Sequence, residues 1–156
     1  MMQELTDKIQ QWAVDRGINT AEPHKQMLKL IEEIGEIAAG LARGNTNEVI
    51  DGIGDVKVVT TILKEQLKNE SDSNMPYQNL ILLLLLHDVG ALAREIVLKH
   101  GVALIKDVEQ VERGLAAFAK TMDTSVEDCT AIAWNEIKDR KGQMVNGVFV
   151  KEEDLP

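Results

Sequence analysis

Residues 29–41 read KLIEEIGEIAAGL and residues 48–59 read EVIDGIGDVKVV. Stepping about 100° per residue along the first stretch gathers Met27, Leu30, Ile31, Ile34, Ile37, Ala38 and Leu41 on one broad apolar face. Glu32 and Glu36 fall opposite, about 40° apart, with Glu33 on the flank. Gly35, Ala39 and Ala42 line the other flank, where small residues let a second helix approach.

The second stretch is also helical, but its acids fall differently. Glu48, Asp51 and Asp55 lie within about 60° of one another, in line with Val59, Ile62 and Leu63. Lys57, Lys64 and Lys68 take the opposite side, so the acids point inward at one end of the core face. Glu48 is also the third residue after Asn45 and fits a capping box. Asp51 and Asp55 have no such role, and charges turned inward must be paired or bind metal. A tight turn at Gly44 folds the two helices into an antiparallel hairpin and brings the acidic stripes face to face. Carboxylates crowded in this way favour a hard cation, Mg²⁺ with Mn²⁺ as substitute. His24, His87 and His100 lack a glutamate three positions earlier, so the Glu-x-x-His signature of a di-iron bundle is missing and these histidines are structural or exposed.

Outside the two stretches the chain is consistent with a helical bundle. It has 156 residues, 44% hydrophobic and only 3% aromatic, with 3 prolines, the composition of a helical chain rather than a β-sandwich. Six helices are predicted, at about 3–16, 23–43, 45–68, the upper 70s to 99, 102–120 and 125–141, around a four-helix-bundle core. Thr124-x-x-Glu127 is read as the capping box of the last helix. The polar loop NESDSNMP (69–76) and a break at His100-Gly101 separate the central helices. Asn146-Gly147 between apolar residues signals a short C-terminal β-hairpin. One domain, 1–156, is expected. The formal charge of −9 argues against a nucleic-acid polymer as partner. Leu80–Leu86 is too short to cross a membrane. The single cysteine, Cys129, excludes an internal disulfide or a Cys-based zinc site, and it is expected as a small core residue. With no leader pattern in MMQELTDKIQQW, a cytoplasmic location is expected.

KLIEEIGEIAAGL followed by EVIDGIGDVKVV resembles the all-α nucleoside triphosphate pyrophosphatases, the MazG-like group. The closing AWNEIKDRKGQMVNGVFVKEED (133–154) is similar to the tail of phage-type members. The resemblance covers residues 5–68 and 125–154. It implies a helical bundle working as a homodimer or homotetramer. It also implies a Mg²⁺-dependent hydrolase that cleaves a (deoxy)nucleoside triphosphate to the monophosphate and pyrophosphate. By position, Glu32, Glu33 and Glu36 match the first acidic motif. The second, Glu-x-x-Asp, is met literally by Glu48 and Asp51; the IGDV context instead aligns Asp55 with its aspartate and leaves Gly52 where the glutamate belongs. Asp51, one turn before Asp55, then supplies the carboxylate. The metal set is therefore Glu32, Glu33, Glu36, Asp51 and Asp55, with Glu33 or Glu36 as the carboxylate that orients or deprotonates water.

A triphosphate also needs cationic contacts, and Asn135, Lys138, Arg140 and Lys141 in NEIKDRKG offer them, although basic residues suit a helix C-terminus in any case. Trp12 and Trp134 are available to stack on a base or to fill core space. The alternative from another class is a non-catalytic helical interaction module of the same descent, whose acids bind a structural cation or a basic partner, with residues 80–86 at its interface.

Overall fold

A computed structural model describes residues 2–68, 75–98, 103–145 and 147–152. Its elements are α1 (Met2–Asp15), a 3-10 turn (Ile18–Thr20), α2 (Pro23–Arg43), α3 (Thr46–Lys68), α4 (Tyr77–Leu98), α5 (Ala103–Thr121), α6 (Val126–Ile137), β1 (Gly142–Val145) and β2 (Val148–Lys151). The protein is all-α, and β1 and β2 pair as the short C-terminal hairpin. Residues 69–74 of the predicted loop, His100-Gly101 and Asn146 of the hairpin turn lie outside the described residues. No described helix is long and apolar enough to cross a membrane. The chain forms two compact units, one holding α1–α3 and the body of the hairpin, the other α4–α6.

In the first unit, α2 starts at Pro23, whose missing N–H is no loss at a helix start. It ends at Gly44, in the left-handed region with φ 69°. There the Gly44 N–H reaches Leu41 O and the Asn45 N–H reaches Gly40 O, satisfying carbonyls the helix end would otherwise leave open. The Asn45 side chain then accepts the Glu48 N–H at 3.3 Å and starts α3. The Glu48 carboxylate does not turn back to close a capping box; it pairs with Arg43 across the turn.

The two helices pack through glycine. A Cβ on Gly52 would stand 2.7 Å from Ile37 Cγ1, and one on Gly40 would stand 3.0 Å from Val49 Cγ2. This close approach sets the rotation of α2. Its seam runs through Glu33, Ile37 and Gly40, while Ile34 and Leu41, expected in the core, are 52% and 66% exposed. Gly35, expected to admit a neighbour, has nothing near its Cβ position. α3 is the central helix: Val59, Ile62, Thr61 and Gln66 are buried, and α1 and the 3-10 turn pack on it beside α2. Polar ties fix both flanks, with Gln66 donating to Ile18 O at 2.8 Å, Gln10 to Glu65 at 2.7 Å and Gln26 to Val59 O at 3.4 Å.

In the second unit α4 and α5 form a hairpin, again with glycine at the contact: a Gly114 Cβ would lie 3.0 Å from Leu85 Cδ1. Ala119 is buried there, whereas no described residue of α4 or α6 is. Cys129 is accordingly exposed, contrary to expectation. It lines an apolar groove of about 440 Å³ with Leu115, Phe118, Met122 and Ala133. The cap of α6 is Ser125, one residue later than predicted. Its Oγ accepts the Asp128 N–H at 3.0 Å and donates to Asp128 Oδ2 at 2.6 Å. Thr124 is taken up by the end of α5, its N–H bonded to Ala119 O. α6 stops at Ile137 rather than near Lys141, where Arg140 N–H returns to Ile137 O.

The glycine seam yields a stability test. Gly52→Ala gains helix propensity but forces Ile37 to move, so it lowers the unfolding free energy by up to about 2 kcal/mol. Gly54→Ala, with open space at its Cβ, raises it by about 0.5–1 kcal/mol. Urea unfolding midpoints of the two variants check both signs.

Candidate functional site

The seam of the α2–α3 hairpin determines where the acids go. Glu33 lies on it, beside Gly52, whose absent side chain leaves the Glu33 carbonyl 3.7 Å from the built Cβ position. In an antiparallel pair of right-handed helices, the residue before each seam position faces one edge of the hairpin on both helices. Lys29, Glu32 and Glu36 of α2 therefore share an edge with Glu48, Asp51 and Asp55 of α3. The residue after each seam position faces the other edge, where Ile34, Leu41, Ile50 and Ile53 are all more than half exposed. The same hairpin thus carries an acidic edge and an apolar one.

Burial reverses the expected order of the acids. Glu33, placed on a flank by the sequence, is the buried carboxylate, with its side chain 5% exposed. Asp51, expected to point inward, is exposed, and Asp55 is half-buried. The reason is the seam: Gly52 rather than Asp51 takes the position against Ile37.

The Lys29 ammonium lies 2.8 Å from Glu33 Oε1 and 3.0 Å from Glu32 Oε2. Both bonds hold its pKa above the usual lysine range, with the Glu33 bond first. Glu33 Oε2 is buried and accepts no hydrogen bond. Glu36 has no such tie, and the negative charge of Glu33, helped by Glu32 and Asp55, pushes its carboxyl up from the ordinary value despite Lys29. Sequence reasoning passes over Lys29, although its spacing of three and four residues to Glu32 and Glu33 is the ion-pair spacing of a helix.

Among the described residues, no three carboxylate, imidazole or thiol groups stand together as a ready-made cation cage. The donor chemistry nevertheless suits a hard divalent cation. The ligand atoms on offer are carboxylate oxygens, Glu33 Oε2 is buried without a hydrogen-bond donor, and the repulsion around Glu36 is only partly offset by Lys29. Glu48 is occupied by Arg43, so Asp51 is the acid of that turn left facing solvent.

The remaining candidates lie elsewhere. Asn135, Lys138 and Arg140 belong to the second unit. Lys138 Nζ donates to Asn135 Oδ1 at 3.1 Å, while Arg140 and Lys141 join Lys151, Glu136, Asp139 and Glu152 around an open polar cleft of about 610 Å³. Neither tryptophan fills a core: Trp12 is 43% and Trp134 59% exposed, and the Arg16 guanidinium lies 4.5 Å over the Trp12 ring. His24 is buried, with neither ring nitrogen hydrogen-bonded. His87 is exposed, 3.4 Å from Asp88, and His100 lies outside the described residues.

The chain is similar to an uncharacterized 18.2 kDa protein from the rep-hol intergenic region of Haemophilus phage HP1 (strain HP1c1), 42% identical over 73 residues. That match spans 46% of this chain and 44% of the relative. No family model matches the chain, and no solved structure does.

The raised carboxyl of Glu36 fixes the sign of a pH effect. A carboxylate whose folded-state pKa lies above its unfolded value favours the folded state only where it is protonated. That contribution is complete below about pH 4.3 and is lost as pH rises through the folded-state value. Glu36→Gln in metal-free buffer therefore raises the melting temperature at pH 7, and the difference disappears on acidification to pH 4. Melting curves across that range show it.

Proposed function

We propose that the chain is a Mg²⁺-dependent nucleoside triphosphate pyrophosphohydrolase that cleaves the anhydride between the α and β phosphates and works as a homo-oligomer. The observation that carries this reading is the buried Glu33, with one carboxylate oxygen tied to Lys29 and the other without a donor, beside a Glu36 whose proton affinity its charge raises. The resemblance of both acidic stretches to the MazG-like group gives the reaction. A relative encoded by a phage accords with the phage-type tail.

Glu32, Glu33, Glu36 and Asp55 would hold the cation, with Asp51 completing the set from the exposed side of the edge. When bound, Mg²⁺ (or Mn²⁺) supplies positive charge against the phosphates and a more acidic water. The protein's own contribution is a fixed array of acids and a proton acceptor. Glu36 suits the second role better than Glu33, because Lys29 is not bonded to it and its carboxyl is pushed up from the ordinary value, chiefly by the charge of Glu33. It takes the proton of the water whose oxygen forms the new bond to phosphorus; the α–β bridging bond breaks and pyrophosphate leaves. Gly52 does not weaken the reading: a glutamate there would strike Ile37, so the carboxylate of that turn comes from its neighbour Asp51.

The homo-oligomer is supported by the apolar edge. Ile34, Leu41, Ile50 and Ile53, all more than half exposed, form a contiguous stripe on the side of the hairpin away from the acids, and stripes of this kind mark interfaces.

Pyrophosphate release from a panel of ribo- and deoxyribonucleoside triphosphates, with Mg²⁺ and with EDTA, tests the activity. The expected outcome is metal-dependent release of pyrophosphate and monophosphate, with kcat/KM lowered at least about 100-fold in Glu36→Gln and in Asp55→Asn. Parental rates in both variants would remove the site assignment. Light scattering on the eluting protein should give a dimer or tetramer, and Ile53→Glu should shift it towards the monomer.

A further inference from the structure

We propose that Lys29 is a positioning residue of the acidic edge: it fixes the side chains of Glu32 and Glu33 by their outer oxygens and leaves Glu33 Oε2 as the preset cation ligand. This rests on the metal-site reading above and adds to it a residue outside the acidic motifs.

The geometry is specific. Lys29 lies one turn before both acids and bridges them at 3.0 Å and 2.8 Å. A buried carboxylate with one strong donor has a single orientation, and here the second oxygen is left buried with no donor. Burying an acceptor without a partner is costly. Glu48, Glu65 and Asp128 each have a partner; Asp107 Oδ2 shares the unpartnered state of Glu33 Oε2 but, among the described residues, has no Lys-bridged acid pair on its helix. A buried carboxylate oxygen held in place without a donor is suited to ligate a cation. Carboxylate ligands of metals are generally held in this way by an outer hydrogen bond, which removes the cost of ordering them at the moment of binding. The alternative role for Lys29, a mere competitor for the same charge, predicts the opposite effect of removing it.

The test is calorimetric titration of MnCl₂ into the metal-free 156-residue chain, with folding followed by circular dichroism. Lys29→Met is expected to weaken Mn²⁺ binding about 10–100-fold, and Lys29→Arg to restore it to within a few-fold. Lys25→Met, which removes an ion pair to Glu22 on the same helix, leaves it unchanged. If Lys29→Met does not fold, Lys29→Gln, which keeps one donor without the charge, should show an intermediate loss. Folded Lys29→Met, or Lys29→Gln in its place, binding Mn²⁺ as tightly as the parent or more tightly would overturn the proposal while leaving the metal site intact. A parent chain that binds no Mn²⁺ at millimolar concentration would sink the metal-site reading itself, and this proposal with it.

Discussion

The close approach of α2 and α3 at Gly40 and Gly52 is the constraint on which the rest of the first unit depends. Two helices that meet without side chains between them cannot be rotated freely, because only the glycine-bearing faces fit at that distance. That fixes Ile37 against Gly52 and places Glu33, one turn earlier, on the same seam. The burial of Glu33 is thus a consequence of packing, and Lys29 is the local answer to it: a cation on the same helix, half in water, reaching one oxygen of the buried acid. The remaining repulsion is carried by Glu36, at the exposed side of the same edge.

Much of this was legible in the residues, for reasons that differ by element. Pro23, Gly44 and Asn45 mark helix ends through backbone chemistry that acts within a few residues, so the boundaries of α2 and the start of α3 follow from sequence directly. The hairpin of those two helices follows from the short connection. What periodicity does not carry is rotation. Ile34, Ala38 and Leu41 form as good an apolar stripe as Leu30, Ile37 and Gly40, and only the size of the facing residues decides which one is packed. Reading hydrophobicity without volume therefore centred the buried face of α2 too near Ile34 and Leu41 and left Glu33 on a flank; on α3 it aligned Asp51 with the buried Val59 and Ile62, although Gly52 takes the seam position against Ile37. The cap of α6 failed on a smaller scale, since Thr124-x-x-Glu127 and Ser125-x-x-Asp128 are overlapping boxes and the end of α5 claims the threonine.

The acidic and apolar edges of the α2–α3 hairpin have different physical requirements. The acidic edge carries Lys29, Glu32 and Glu36 of α2 with Glu48, Asp51 and Asp55 of α3, a set that would gain from a small, highly charged cation. The apolar edge exposes aliphatic side chains that water solvates poorly and that a protein surface covers well. Because the two lie on opposite sides of one pair of helices, the proposed chemistry on one and the proposed association on the other would draw on the same framework without competing for the same side chains. In the second unit, by contrast, α4 and α6 have no buried residue among those described, and the candidate phosphate contacts there are exposed, with Lys138 already bonded to Asn135.

Gly52 also bears on how this sequence can change over time. A carboxylate at position 52 and the present placement of Ile37 conflict, because the Cβ of the first would stand 2.7 Å from Cγ1 of the second and Ile37 would have to move. The effects of substitutions at the two positions are therefore not additive: a smaller side chain at 37 lowers the cost of a side chain at 52, and with Ile37 in place the carboxylate of that turn sits on the neighbouring residue, Asp51.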